Sequence, residues 1–312
     1  MSPIAPLGSN SVITKISQSG ILSSLVRSSE ALADPTTALA LELAARFKAR
    51  YAGRPIATPV SMNLATAARV ARTQRFSNPH FLQHFSLVAL DSLSHTSFGK
   101  EFTRTRVIEL IGVYLNYIKR LSENGYVFRS VRVRVASVLL VEQVFRALDK
   151  HNQQEFRRNS LNDSFDYLET IGAAEHGISD AASINETMAF FRNAGLIDGD
   201  DTGVIETAFE IIEALRGRYP EIEIVYDVGR KAGLGNYRNV CFHVDATTAE
   251  GKVFTVADGG DSDWGAALTS DDKLKTVFSG FGLEVCQKHF RDGSVSATNA
   301  MSNTGPQDGR FS

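Results

Sequence analysis

The chain has 312 residues, of which 43% are hydrophobic and 22% charged, with a formal net charge of −2. That is the composition of an ordinary globular protein with enough chain for a sizeable core. It carries no electrostatic footprint for bulk nucleic-acid or anionic-membrane binding. No apolar run reaches the ~18 residues expected of a membrane span, and the first residues, MSPIAPLGSNSVITK, lack the basic-then-apolar order of a secretory signal. The two cysteines, Cys241 and Cys286, are too few for a disulfide scaffold. A cytoplasmic protein with reduced thiols is expected.

Residues 1–33 are rich in serine and small residues. They read as an N-terminal arm with a short helix near Ile21 to Val26. Asp34-Pro35 is a good helix start, a capping side chain followed by proline in the first turn. The helix carries Leu39, Leu43, Ala44 and Phe47 and stops near Gly53. Residues 54–59, with proline at both ends, suit a short extended segment. Leu64 to Arg72 is alanine-rich and reads as helix, and Phe81 to Leu90 as a buried strand. A long amphipathic helix is expected from Thr103 to Asn124, its stripe formed by Val107, Ile111, Leu115 and Ile118, with Gly125 as its stop.

Val127 to Val138 alternates valine with arginine, the pattern of a half-buried strand. A helical insertion spans about 140–218. In it Ser179 is expected to cap a helix ending near Gly195, and Asp200 or Asp201 to cap another through Ile205, Phe209, Ile212 and Leu215. Then come three apolar runs, Ile222 to Val228, Tyr237 to Val244 and Lys252 to Ala257, which read as a meander of adjacent strands with short turns. Residues 292–312 are poor in hydrophobics and read as a disordered tail. The simplest organisation is one α+β core over 34–291.

No P-loop, dinucleotide fingerprint or HExxH occurs. His80 and His84 lie in a strand pattern rather than on one helix face, and Asp258, Asp261 and Asp263 read as an acidic turn, so no metal site is expected.

In their order, several segments resemble the catalytic core of the histidyl-tRNA synthetase family, a class II aminoacyl-tRNA synthetase fold with an antiparallel sheet flanked by helices. Phe47 to Pro59 is similar to motif 1, the dimer element. Pro79-His80-Phe81-Leu82-Gln83 resembles the Arg-Glu-Phe-His-Gln strand after motif 2. Ala232-Gly233-Leu234-Gly235-Asn236-Tyr237 resembles Arg-Gly-Leu-Asp-Tyr-Tyr. Asp258-Gly259-Gly260-Asp261 resembles the Gly-Gly-Arg-Tyr-Asp turn. Gly280 to Val285 resembles motif 3, whose family form ends Gly-Leu-Glu-Arg. The resemblance covers about residues 38–290. It implies a homodimer and a substrate pocket built from Gln83, Gly233, Asn236, Tyr237, Gly259 and Gly260.

The departures from the family pattern bear on function. Family arginines fall at Ala232 and Val285, the first tyrosine of the tyrosine pair falls at Asn236, and the acid four residues beyond the Gln83 equivalent falls at Leu87. The stretch between Pro59 and Phe81 reads as too short for the motif 2 hairpin, which leaves Arg69, Arg72 and Arg75 as stand-ins for its arginine. The chain also ends soon after motif 3, without room for an anticodon domain. Adenylate formation sets a carboxylate against a polyphosphate and needs fixed cations, and losing one preorganised donor costs ~10²–10³-fold. The resemblance therefore implies a paralogue that does not charge tRNA. The expected role is a regulatory, amino-acid-binding subunit similar to that of ATP phosphoribosyltransferase in histidine biosynthesis, with an enzyme as partner. The alternative is an adenylate-forming ligase acting on another acceptor, which would use ATP and magnesium.

Overall fold

The computed structural model describes residues 4–9, 21–51, 54, 56, 59–71, 83–148, 180–181, 183–197, 202–230 and 236–292. Two sheets form. The smaller has the order β1-β3-β2, from β1 (Ile4–Pro6), β2 (Ser23–Ser24) and β3 (Ser29–Ala31). The pair β2 and β3 replaces the short helix expected near Ile21 to Val26.

The larger sheet has eight strands: β4 (Val60–Ala71), β5 (His84–His95), β6 (Ser130–Ser137), β7 (Asp180–Ala181), β8 (Glu223–Asp227), β9 (Val240–Thr247), β10 (Val253–Ser262) and β11 (Leu274–Gly282). Their order is β4-β5-β11-β10-β9-β6-β8-β7, and every pairing is antiparallel except β6 with β8. Its helices are α1 (Pro35–Tyr51), α2 (Gly99–Ser122), α3 (Val138–Leu148), α4 (Ile184–Asn193), α5 (Gly203–Arg218), α6 (Trp264–Thr269) and α7 (Leu283–His289). This is the expected α+β architecture.

The helices divide the sheet into two faces. On one, α2 packs on β10 and β11 and α5 on β6 and β8. Val107, Ile111, Val133, Val135, Phe209, Ile212, Phe242, Val244, Val277 and Phe281 make the main core there. On the other, α1 lies over β4 and β5, with Leu43 and Phe47 against Leu93 and Leu274. Chain reversals behind the helices use residues with positive φ. Gly125 (φ 81°) follows α2 and Gly195 (φ 68°) follows α4, where any other residue would be strained.

Other expectations are corrected as well. Residues 64–71 of the expected Leu64–Arg72 helix are strand: Val60–Ala71 pairs with His84–His95 residue for residue, from Val60 with His95 to Ala71 with His84. Alanine favours helix, but the backbone pairing with β5 along the whole of β4 overrides that local preference. The same pairing makes β4 and β5 antiparallel neighbours at one end of the sheet. The three-strand meander is also different. β9 and β10 do pair as a hairpin, but β8 joins the sheet beyond β6 and parallel to it, Val133 opposite Ile224. A parallel neighbour needs a long crossover, and α3, α4 and α5 lie along that connection. Finally, α4 starts at Ile184, with Ser183 Oγ accepting from the amide of Glu186 at 3.2 Å. Ser183 and Glu186 stand at capping-box spacing. Ser179, Asp201 and the tail beyond residue 292 lie outside the described residues.

Candidate functional site

Register fixes what each face carries, because side chains alternate along a strand. One line across the α1 face runs Leu64, Asp91, Phe278, Gly260, Cys241, Ala136. The next runs Thr66, Ala89, Gly280, Asp258, His243, Arg134. The first is mostly apolar. The second holds a charged cluster.

Arg134 is the hub of that cluster. Its Nε donates to Asp245 at 2.6 Å, its Nη1 to Asp227 at 2.6 Å, and its Nη2 to Nδ1 of His243 at 3.1 Å. A guanidinium only donates, so His243 Nδ1 accepts and the imidazole proton sits on Nε2. Nε2 lies 3.6 Å from Asp258 Oδ1. Burial, helped by Arg230 and Arg134, holds His243 well below its ordinary pKa, so it is neutral near pH 7. Burial opposes ionisation of Asp245, but hydrogen bonds from Arg134 and Thr255 outweigh it and its carboxyl sits below the usual range. Arg230, 2% exposed, donates to Asp258 Oδ1 at 2.9 Å and lies 5.7 Å from the centre of the Tyr237 ring. Tyr237 stacks on Phe278 at 5.2 Å, and Phe278 on Trp264 at 4.2 Å. The phenol of Tyr237 is pushed up by burial and by Asp258.

Asp91 stands apart in this set. It is 1% exposed and neither carboxylate oxygen has a hydrogen-bond partner. Burial, reinforced by Asp34 at the start of α1, raises it well above the usual carboxylate range. Buried unsatisfied groups are rare in native proteins and tend to mark function.

The residues singled out from sequence are distributed unevenly over this surface. Tyr237 is in the cluster, and Asn236 precedes it. Gly259 and Gly260 are in β10 but serve packing. A Cβ at Gly259 would meet the Ser279 Cβ at 2.5 Å on the α2 face, and one at Gly260 would meet the Val240 carbonyl at 2.3 Å on the α1 face. The open position is Gly280, whose Cβ would find only the Val88 carbonyl oxygen, at 3.9 Å. Gln83 is exposed, eight residues before Asp91 and thus about 26 Å away along the strand. It is not brought to Tyr237. Gly233, Ala232, Arg72 and Arg75 lie outside the described residues. Arg69 points to the opposite face and lies 3.8 Å from Glu284. Val285 packs against the main core.

Arg134, Arg230, His243, Asp91 and Gly280 belong to this candidate surface and were not singled out from the sequence. One signal was available for Asp91. Anchored on Leu87 instead of Gln83, the family strand pattern matches its phenylalanine to Phe85 and its acid to Asp91. No comparable pattern marks Arg230, two residues before the position onto which the family arginine falls.

A cleft of about 770 Å³ lies elsewhere, at the N-termini of α2 and α5, bordered by Lys100, Thr103, Thr207, Arg238 and Asp263. Its cations are engaged, Lys100 with Glu206 and Arg238 with Asp263 at 3.6 Å. Size alone favours this cleft. The buried, hydrogen-bonded charges and the unsatisfied Asp91 favour the α1 face, and the candidate site is placed there.

No protein-family model matches the chain, and no curated protein matches it in sequence. Solved structures do match. The chain is similar to an ATP phosphoribosyltransferase regulatory subunit/histidyl-tRNA synthetase from Bacillus halodurans, with TM-score 0.62 and 16% identity over 92% of this chain and 72% of that one. It is similar to a histidine–tRNA ligase subunit from Alicyclobacillus acidocaldarius, with TM-score 0.56 and 14% identity over 92% and 85%. It is also similar to the apo histidyl-tRNA synthetase of S. aureus, with TM-score 0.51 and 10% identity over 92% and 63%. By fold, the chain has the architecture of the histidyl-tRNA synthetase-like class II core.

Proposed function

We propose that this chain is a class II synthetase paralogue that binds an amino-acid ligand without activating it, and that it acts as a regulatory subunit of a partner enzyme. The observation that carries this reading is the charge balance on the α1 face. Two guanidiniums, Arg134 and Arg230, face three carboxylates, Asp227, Asp245 and Asp258, with His243 neutral. Two positive charges against three negative leaves one net negative charge among the described residues. A polyphosphate approaching that surface meets repulsion, and both arginines are already engaged by aspartates.

Two further features support the reading. The family arginine of motif 3 is replaced by Val285, which packs inward. Arg69, the one described member of the stand-in trio, faces away from Tyr237. Each missing cation corresponds to ~10²–10³-fold in adenylate formation. The alternative, an adenylate-forming ligase, therefore meets described arginines on this face, Arg132, Arg134 and Arg230, that are each already paired with an acid.

The Bacillus halodurans relative bears the name of an ATP phosphoribosyltransferase regulatory subunit. The same role is proposed here, in a homodimer that pairs with a catalytic subunit. Two measurements test it. Thermal-shift titration should show stabilisation by a free amino acid and none by ATP with magnesium. Mixing with a short-form ATP phosphoribosyltransferase catalytic subunit should give a co-eluting complex with increased turnover. No complex and no change in turnover would refute the regulatory role. Stabilisation by ATP alone would refute the non-activating site.

A further inference from the structure

The α1 face is low at Gly280, with Asp258 beside it on the same line and Asp91 diagonally across from it on the adjacent line. Gly280 pairs with Asp258 on β10 and with Ala89 on β5, and Asp91 is two residues beyond Ala89 on the same face. No described side chain occupies the position above Gly280. Asp258 forms one wall. Its side chain is 44% exposed, and Oδ1 is held by Arg230. Asp91 forms the other wall, buried under the first turn of α1, where Thr36 and Thr37 are also buried. Asp34, whose Oδ1 accepts from the Thr36 amide at 3.0 Å, adds a second negative group to that end. These acids are not a cluster of solvated surface charges, since Asp91 is shut away from water with both oxygens unsatisfied.

We propose that the ligand of this face carries two ammonium groups, as a basic amino acid or a diamine does, with one ammonium at Asp258 and the second at Asp91, which gives up its proton when the ligand binds, and with the ligand chain lying over Gly280. The inference rests on the amino-acid-binding reading and narrows it to a chemical class. Asp91 and Asp258 are two strands apart, about 9.6 Å, and offset by two residues, about 6.6 Å, so their Cα atoms are about 12 Å apart. Side chain and hydrogen bond take up ~3 Å at each end, which leaves roughly 6 Å between the two ammonium nitrogens. Ornithine, lysine and putrescine have that reach. The stacked rings of Tyr237 and Phe278 beside the trough suit an aliphatic chain. A ligand carboxylate finds the described arginines of this face, Arg132, Arg134 and Arg230, each held by an acid. Putrescine, which has no carboxylate, should therefore bind at least as tightly as ornithine or lysine, and a dicarboxylic amino acid is rejected.

Calorimetric titration of the full chain with ornithine, lysine, putrescine, histidine, alanine and glutamate tests this. The dications should bind at least tenfold more tightly than alanine or histidine, and glutamate should not bind. Gly280→Leu starts from a Cβ that meets nothing described closer than 3.9 Å and projects its side chain into the trough; circular dichroism checks that it folds as wild type, and it should lose at least tenfold in putrescine affinity. Asp258→Asn should lose the same, although it leaves buried Arg230 with a weaker partner. The leucine variant decides the matter if the asparagine variant does not fold. Equal affinity for alanine and putrescine, or unchanged putrescine affinity in Gly280→Leu, overturns the dication. Binding of histidine but no dication overturns this inference and leaves the amino-acid-binding reading standing. Binding of nothing in the panel overturns both.

Discussion

Replacing Asp91 by asparagine separates a structural from a ligand-binding role, because the two roles predict opposite signs. Asp91 is 1% exposed, has no hydrogen-bond partner, and is held well above the usual carboxylate range by burial and by Asp34. The folded chain keeps the Asp91 proton at pH values where the unfolded chain, with a pKa of ~3.9, has released it. The folded state then binds one more proton than the unfolded state, so stability falls by about 1.4 kcal/mol per pH unit across that window. Below about pH 3.5 both states are protonated and the penalty vanishes. The asparagine side chain does not titrate, and it matches the protonated acid in shape and polarity. Asp91→Asn should therefore be close to neutral at the acid end and gain about 1.4 kcal/mol over wild type for each pH unit above about 4, until the pH at which Asp91 ionises in the folded chain, where the gain levels off. With about 2–4 °C per kcal/mol for domains of 150–250 residues, the gain from about pH 4.5 to 5.5 is a few degrees in Tm. Urea unfolding of both proteins from about pH 4 to 7 measures it. A pH-independent difference, or a variant that becomes less stable relative to wild type as pH rises, would refute the reasoning. The same variant should lose putrescine affinity, so it gains stability and loses binding.

Other outcomes follow from the packing. Arg134→Met removes the cation shared by Asp227 and Asp245, whose side chains are 3% and 9% exposed, and should cost about 3–5 kcal/mol by denaturant unfolding. Gly260→Ala puts a Cβ 2.3 Å from the Val240 carbonyl, a backbone atom that cannot swing aside. It should cost at least the ~1–3 kcal/mol typical of overpacking, seen as a lowered Tm. Tyr114→Phe removes the 2.7 Å hydrogen bond to Ser279 across the α2 face and should cost about 1 kcal/mol, with putrescine binding unchanged.

The fold was largely legible where hydrophobic period and punctuation agreed. The stripe through Val107, Ile111, Leu115 and Ile118 and the stop at Gly125 gave α2 to within a few residues, and the Val-Arg alternation gave β6. The misreadings came where long-range pairing overrides local signals. Ala65, Ala67 and Ala68 favour helix by propensity, yet β4 lies along β5 throughout. β8 has an ordinary strand pattern, and nothing in Glu223–Asp227 tells that its neighbour is β6, far back in the chain, with Arg132 opposite Glu223. The candidate site was legible only in part, for the same reason. Tyr237 was found because it sits in a contiguous segment. The cluster around it comes from Arg134 on β6, Asp227 on β8, His243 on β9 and Asp258 on β10, which only the sheet order brings together. Gly259 and Gly260 stand out in the sequence as a pair. Whether a glycine leaves room for a ligand or for a neighbouring strand depends on which face it points to, and the open position proved to be Gly280.

The central claim is that this class II core binds its ligand without activating it. Amino-acid-dependent ATP–pyrophosphate exchange tests it most directly, run on the purified full chain with magnesium, ATP and each of histidine, lysine and ornithine. The charge balance around Arg134, Arg230, Asp227, Asp245 and Asp258 predicts exchange no greater than without amino acid. Robust exchange with any one of them would contradict the account.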